Sequence, residues 1–271
     1  MLPTQDLITA LRDAAQAEVL PRFRALSPEQ VRSKGRVDDL VTEADLGAER
    51  HLIARLAQLL PDAVVVGEEG VAADPSLQDR IGTDPLCVIL DPIDGTWNFA
   101  HGLSVFGMIL AVVENGATVF GAIYDPLNDD WVEAARGEGA WFCRGDRRER
   151  LSVGAGGPLS KAVGFVSEYL YPPEARPAVG GLTKAMARTI NLRCSAHEYR
   201  MLAQGHADLS LSAILHPWDH AAGVLILQEA GGVARLLDGR PYAPVLKEGR
   251  LLCASSEVLW QEAAATLPVD L

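Results

Sequence analysis

The sequence has few cysteines, four in 271 residues, and none is placed for a zinc knuckle or a redox pair. Cys87, Cys143, Cys194 and Cys253 stand far apart, with no CxxC and no histidine at zinc-ligand spacing. A chain of this length buries enough apolar surface to fold without disulfide staples, so they read as reduced core thiols of a cytoplasmic protein. Long apolar runs are also lacking. The longest, residues 108–113, falls far short of the ~20 residues that cross a bilayer. Residues 1–6 carry no basic region leading into an apolar stretch, so the expectation is a soluble protein that is not exported.

Positive charge is the third scarcity. Lys and Arg number 24 against 36 Asp and Glu, a net charge of −12, which excludes sequence-independent nucleic-acid binding, because that depends on neutralising phosphates. An acidic chain can still bind a small phosphate where its own carboxylates hold metal ions that supply local positive charge. Composition is otherwise ordinary for a globular domain, with 48% hydrophobic and 22% charged residues, and gives no sign of disorder or low complexity.

The pattern along the chain alternates helix and strand. Apolar residues at Leu7, Leu11, Ala14 and Ala15 predict an amphipathic helix over 6–23, and Leu46, Ile53, Leu56 and Leu60 predict a second over 42–60, stopped by Pro61. Strands are expected over 63–66 and 86–90. Residues 105–113 and 118–124 flank Asn115-Gly116, the strongest short hairpin signal, and further short strands over 131–135 and 139–142 extend an antiparallel meander. Gly and Pro crowd residues 154–181, which read as a loop-dominated junction. Beyond it, strands over 189–192, 208–212, 233–236 and 251–254 alternate with helices over 195–204 and 219–230. The expected organisation is an N-terminal α+β subdomain, 1–153, and a C-terminal α/β subdomain, 154–271.

Chemistry concentrates in Asp91-Pro92-Ile93-Asp94-Gly95-Thr96, two carboxylates three residues apart at the mouth of a buried strand. Pro92 disfavours a continuing ladder, and Gly95 permits close approach of the backbone to a ligand. Carboxylate oxygens suit hard cations such as Mg²⁺. The same residue types also favour an ordinary turn.

This motif, continuing through Asn98-Phe99 to His101-Gly102, resembles the signature of the inositol monophosphatase family. Three further blocks fall in that family's order: Asp39-Leu40-Val41-Thr42 with Asp45; Gly67-Glu68-Glu69; and Trp218-Asp219 with Ala222-Gly223 and Glu229-Ala230-Gly231-Gly232. The resemblance implies a layered α/β (α+β) sandwich of the sugar-phosphatase type and a homodimer. It also implies Mg²⁺-dependent hydrolysis of a small phosphate monoester such as an inositol 1-phosphate-like, sugar or polyol phosphate. Glu68, Asp91 and the carbonyl of Ile93 would hold one ion, and Asp91, Asp94 and Asp219 a second. A third, weaker ion would sit beside Glu68, and Mn²⁺ would substitute. Asp45 and Thr96, with Glu68, would orient the attacking water, while Asp94, Gly95, Thr96, Ser195, Ala196, Ser212 and Lys34 would meet the substrate.

Several of these residues have a structural reading as well. Thr42 with Asp45, and Ser195 with Glu198, fit the capping-box pattern, and Asp219 is placed to be a helix N-cap. Glu69 is expected to support Glu68 or face solvent, and His101, His197, His216, His220 and Trp218 to be structural. Inositol-specific family members place a glutamate six residues before the Trp-Asp pair, where this sequence has Ser212. A shorter, uncharged side chain there implies broad preference among phosphate monoesters. Two rivals remain: a haloacid-dehalogenase-type phosphatase with an aspartyl-phosphate intermediate, whose Asp-x-Asp motif is one residue shorter, and a regulatory binding protein on the same fold.

Overall fold

The computed structural model describes residues 2–35, 39–269 and 271, so Met1 of the segment read for a leader lies outside it. The first helix, α1 (Thr4–Ala14), buries Leu7, Ile8, Leu11 and Ala14. The expected longer helix loosens into a π turn (Ala15–Val19) and then tightens into a 3₁₀ turn (Leu20–Arg22), where Pro21 lacks the amide that would continue the ladder. A two-stranded ribbon, β1 (Val31–Ser33) and β2 (Leu40–Thr42), leads into α2 (Glu43–Leu59). There follow β3 (Val64–Gly67), the short helices α3 (Glu68–Ala73) and α4 (Arg80–Thr83), β4 (Leu86–Asp94) and the single turn α5 (Thr96–Ala100).

The meander is present as expected. Strands β5 (Gly107–Glu114) and β6 (Ala117–Asp125) are joined by Asn115 and Gly116, both with positive φ, 49° and 77°, the twist a two-residue hairpin requires. Strands β7 (Asp130–Ala135), β8 (Ala140–Arg144) and β9 (Arg147–Arg150) complete a seven-stranded sheet in chain order, parallel only between β3 and β4.

The supposed loop region holds β10 (Val163–Val166), which lies inside the second sheet. Four residues between Gly- and Pro-rich flanks give too short a period to read, and it is the pairing partners that make this segment a strand. Next come α6 (Arg176–Ala185), β11 (Arg188–Ile190), α7 (Ser195–Ala203), β12 (Leu209–Ser212), α8 (Pro217–Glu229), β13 (Val233–Leu236), β14 (Leu251–Ala254) and an unanticipated α9 (Glu257–Ala264). The five strands order as β11-β10-β12-β14-β13.

Side-chain parity builds the layers. On β4 and β5, Val88, Leu90, Met108, Leu110 and Val112 join the core under α1 and α2, while Cys87, Ile89, Ile109, Ala111 and Val113 face α7 and α8. On the second sheet, Leu251 and Cys253 turn to that same middle core, and Leu209, Leu211, Leu252 and Ala254 pack with α6 and α9. The result is the expected layered sandwich of alternating helices and sheets, with α7 and α8 enclosed in the middle. This explains why Ala221 to Leu227 of α8 are all buried and show no amphipathic stripe. One core thus draws on residues from both sides of position 153.

Close approach in the middle layer depends on glycine. A β-carbon at Gly121 would fall 2.8 Å from the Cα of Ala222, and one at Gly223 would fall 2.2 Å from the ring of Tyr199. Gly181 on α6 is exposed, with nothing within 4 Å of such an atom. Gly223→Ala should therefore lower unfolding free energy by about 1–3 kcal/mol through overpacking. Gly181→Ala should raise it by roughly 0.5–1 kcal/mol through helix propensity. Equilibrium denaturation of the two variants checks this; a Gly223→Ala variant as stable as the wild type would contradict the enclosed position of α8.

Candidate active site

Strand β4 does not stop at Pro92. Asp91 lies opposite Ile109 and Asp94 opposite Gly107, so β4 takes three steps where β5 takes two, and Pro92-Ile93 form a bulge. The bulge departs from the sequence expectation that pairing ends at Pro92. It lets a residue without an amide proton sit in the strand and turns both carboxylates to the open end of the sheet. The Ile93 amide donates to Asp91 Oδ1 at 3.0 Å, fixing that carboxylate. Gly95 then takes φ +86°, where a β-carbon would fall 2.9 Å from the Val105 carbonyl, and caps α5.

Asp45 plays both parts the sequence offered it. It closes the capping box of α2, with Oδ2 accepting from the Thr42 amide at 2.9 Å and the Thr42 hydroxyl at 2.5 Å. Its Oδ1 lies 3.1 Å from the Thr96 hydroxyl, which is also 2.9 Å from the Ile93 carbonyl. Thr96 has one proton and two acceptors within reach.

Glu68 opens α3. Its neighbour Glu69 is buried, which rules out the solvent-facing half of the expectation and leaves the supporting one. Lys34 Nζ donates to Glu68 Oε1 and Glu69 Oε1, each at 2.7 Å. Glu49 is a residue that sequence reasoning missed. Its carboxylate accepts from the amides of Glu69 at 3.0 Å and Gly70 at 2.7 Å, which pins the start of α3, and a β-carbon at Gly67 would collide with it at 2.2 Å. The signal was available: Asp45, Glu49, Leu52 and Leu56 share one buried face of α2, so two acids occupy an apolar stripe.

Two more helices start at the cleft. Asp219 is the third residue of α8, not its N-cap, which is His216. His216 Nδ1 stands 3.6 Å from Asp219 Oδ2 and lines the cleft, so this histidine belongs to the site. His197 and His220 instead bond the carbonyls of Phe106 and Ile214, as structural residues do. Helix α7 is capped by Asp94, whose Oδ2 accepts from the Ala196 amide at 2.6 Å and the Cys194 thiol at 3.0 Å. The capping box of Ser195 with Glu198 is absent, because the N-cap is Cys194 and Ser195 is already helical.

Asp91, Asp94 and Asp219 each bring an oxygen within 4.8 Å of the others, the only such trio among the described residues. Glu68, Ile93, Gly95, Thr96, Ser195 and Ser212 line the same cleft. Ala196 contributes its amide to Asp94 beneath the surface. Burial, then the charges of Glu68 and Asp94, push Asp91 well above the ordinary carboxylate range. Burial and the charge of Asp219 raise Asp94 to about 7, against the Ala196 amide. Burial lifts Asp45 to about 6, and burial with Glu68 lifts Glu69 to about 8. Burial pushes Asp219 up too, but His216 beside it, with the charges of His220 and Lys34, outweighs burial and leaves Asp219 low. Like charges held this close need a cation, and a set of carboxylate oxygens fits a hard divalent one.

Residues 4–269 match the inositol monophosphatase family. The chain is 32% identical over 212 residues to the fructose-1,6-bisphosphatase/inositol-1-monophosphatase of Thermotoga maritima, spanning 78% of this chain and 77% of that protein. It is 34% identical over 232 residues to the histidinol-phosphatase of Chlorobaculum parvum, spanning 86% and 85% of the two chains. Among solved structures, an IMPase of Thermotoga maritima aligns with a TM-score of 0.82 at 26% identity, over 100% of this chain and 97% of the other. An inositol monophosphatase of Zymomonas mobilis gives 0.80 at 27%, over 98% and 96%. These matches leave the haloacid-dehalogenase reading without support. By sequence and by fold, the chain belongs to the inositol monophosphatase family.

Proposed function

We propose that the protein is a Mg²⁺-dependent phosphomonoesterase that hydrolyses a small phosphorylated alcohol. The observation that carries this reading is the convergence of Asp91, Asp94 and Asp219 beside the Asp45–Thr96 pair. Asp91, Asp94 and Asp219, with Glu68 and the Ile93 carbonyl, would hold two or three Mg²⁺ or Mn²⁺ ions. Such ions, when bound, activate water and neutralise the charge of the phosphate and the leaving oxygen.

The chain's own groups then divide the work. Asp45 is fixed by Thr42, so it can accept the Thr96 proton and leave the Thr96 oxygen free to take one from the attacking water. The new bond forms from water oxygen to phosphorus as the bond to the alcohol oxygen breaks. Helix α5 begins at Thr96, and the Phe99 amide is bonded to the Gly95 carbonyl, so the amides of Gly95 and Thr96 are placed to meet an anion. Ser195 and Ser212, which line the cleft, complete the proposed substrate contacts, with Lys34 adding positive charge through Glu68 and Glu69. Ala196, expected to meet the substrate, is fully buried with its amide on Asp94 and acts by holding that carboxylate. No helix among the described residues is long and apolar enough to cross a membrane. All four cysteines are free and buried, which supports a reducing, cytoplasmic location. The homodimer rests on the family resemblance.

Phosphate release from a simple monoester should require Mg²⁺ or Mn²⁺ and stop in excess chelator; full turnover in chelator would overturn the mechanism. Thr96→Ala should lower kcat by about 10²–10⁴-fold, the range of a lost acid–base contribution, with metal affinity retained. Steady-state kinetics beside a Mn²⁺ binding isotherm decides it. A variant that loses stability and keeps its rate per folded molecule would leave Thr96 with only the role of bracing α5 against α2.

A further inference from the structure

The missing polyol acceptor at Ser212 has a counterpart on the opposite element of the same cleft. Ser212 ends β12 and reaches the cavity as a short, uncharged side chain. Glu198, one turn into α7, lines that cavity as well. With Cys194 as N-cap and Asp94 receiving the Ala196 amide, Glu198 is released from the capping task its position in the sequence suggests. Among the described residues no cationic side chain pairs with its carboxylate, and the charges that bear on it are those of Asp94 and Asp219. A half-buried carboxylate that lines the cavity with acceptor capacity to spare favours a donor arriving from outside.

The surroundings say what kind of donor fits. Phe165, Leu211 and Ile214 give the cavity apolar walls, and Asp94, the phosphate-side carboxylate, is near enough for its charge to bear on Glu198. A substrate whose phosphate sits at the aspartate trio would thus carry its alcohol portion toward Glu198.

Resting on the phosphatase reading above, we propose that Glu198 is the specificity-determining residue, binding a hydroxyl or ammonium donor on the leaving alcohol. It supplies from α7 the acceptor that inositol-specific relatives carry at the position of Ser212. The preferred substrates are phosphorylated alcohols with such a donor on an otherwise apolar frame, and the broad preference that Ser212 alone implies narrows accordingly.

The test compares wild type with Glu198→Gln, which keeps the shape and removes the charge, on four substrates with Mg²⁺: p-nitrophenyl phosphate, which has no donor on its leaving group; inositol 1-phosphate and glycerol 2-phosphate, which have hydroxyls; and histidinol phosphate, which has an ammonium. The ratio of kcat/KM for the best donor-bearing substrate over p-nitrophenyl phosphate should fall by about 10–100-fold, the worth of a hydrogen bond to a charged group. A fall confined to histidinol phosphate identifies an ammonium, and a fall for the polyols a hydroxyl. Adding Ser212→Glu to the Glu198→Gln background should recover part of the ratio for a hydroxyl substrate, a response that mere structural support by Glu198 would not give. Unchanged ratios with all three donor substrates would overturn the assignment. Failure of the wild type to release phosphate from any of the four would instead overturn the phosphatase reading on which it rests.

Discussion

Repulsion among buried carboxylates is the constraint around which this protein is built. Asp91, Asp94 and Asp219 come from a strand bulge and a helix start and are held within 4.8 Å of one another, with Glu68 close enough to raise Asp91 further. Such a cluster is unfavourable in a low-dielectric cleft unless cations enter it. The surrounding structure supplies the rigidity that keeps it assembled. The Ile93 amide fixes Asp91, the Ala196 amide fixes Asp94, and Glu49 pins the start of α3 that presents Glu68.

The two sheets meet through the same residues. Asp94 belongs to the seven-stranded sheet and caps α7, which lies between the sheets, while Asn98 Nδ2 donates to the carbonyls of Val105 and Leu192 at 2.8 Å each. Arg200 on α7 is bound to Asp130 of β7 and to the Ile123 carbonyl, and both side chains of the ion pair are buried. A buried pair of this kind gives little net stability, yet leaving either charge alone would be costly, so it specifies one seating of α7. The position of Glu198 in the cleft follows from that seating.

Much of this was legible in the residues. Asn115-Gly116 announced its hairpin, Asp91 to Thr96 announced the site, and Thr42 with Asp45 announced a capping box that the structure retains. What could not be read is what depends on partners distant in sequence. Strand β10 is too short to show a period and exists through pairing with β11 and β12. Pro92 looked like a stop because a bulge is a property of two strands, not one. Glu198 looked like a cap because the true cap of α7 comes from Asp94, about a hundred residues earlier in the chain.

The central claim is that these carboxylates form a cation site, and ion binding tests it without any assumption about substrate. Mn²⁺ titration followed by electron paramagnetic resonance counts bound ions per chain directly. The account predicts that the wild type binds more than one ion and that Asp94→Asn and Asp219→Asn, each still folded by circular dichroism, lose at least one, because an amide oxygen is a weaker ligand for a hard cation than a carboxylate. Equal stoichiometry and affinity in wild type and both variants, or no Mn²⁺ bound by the wild type, would contradict it.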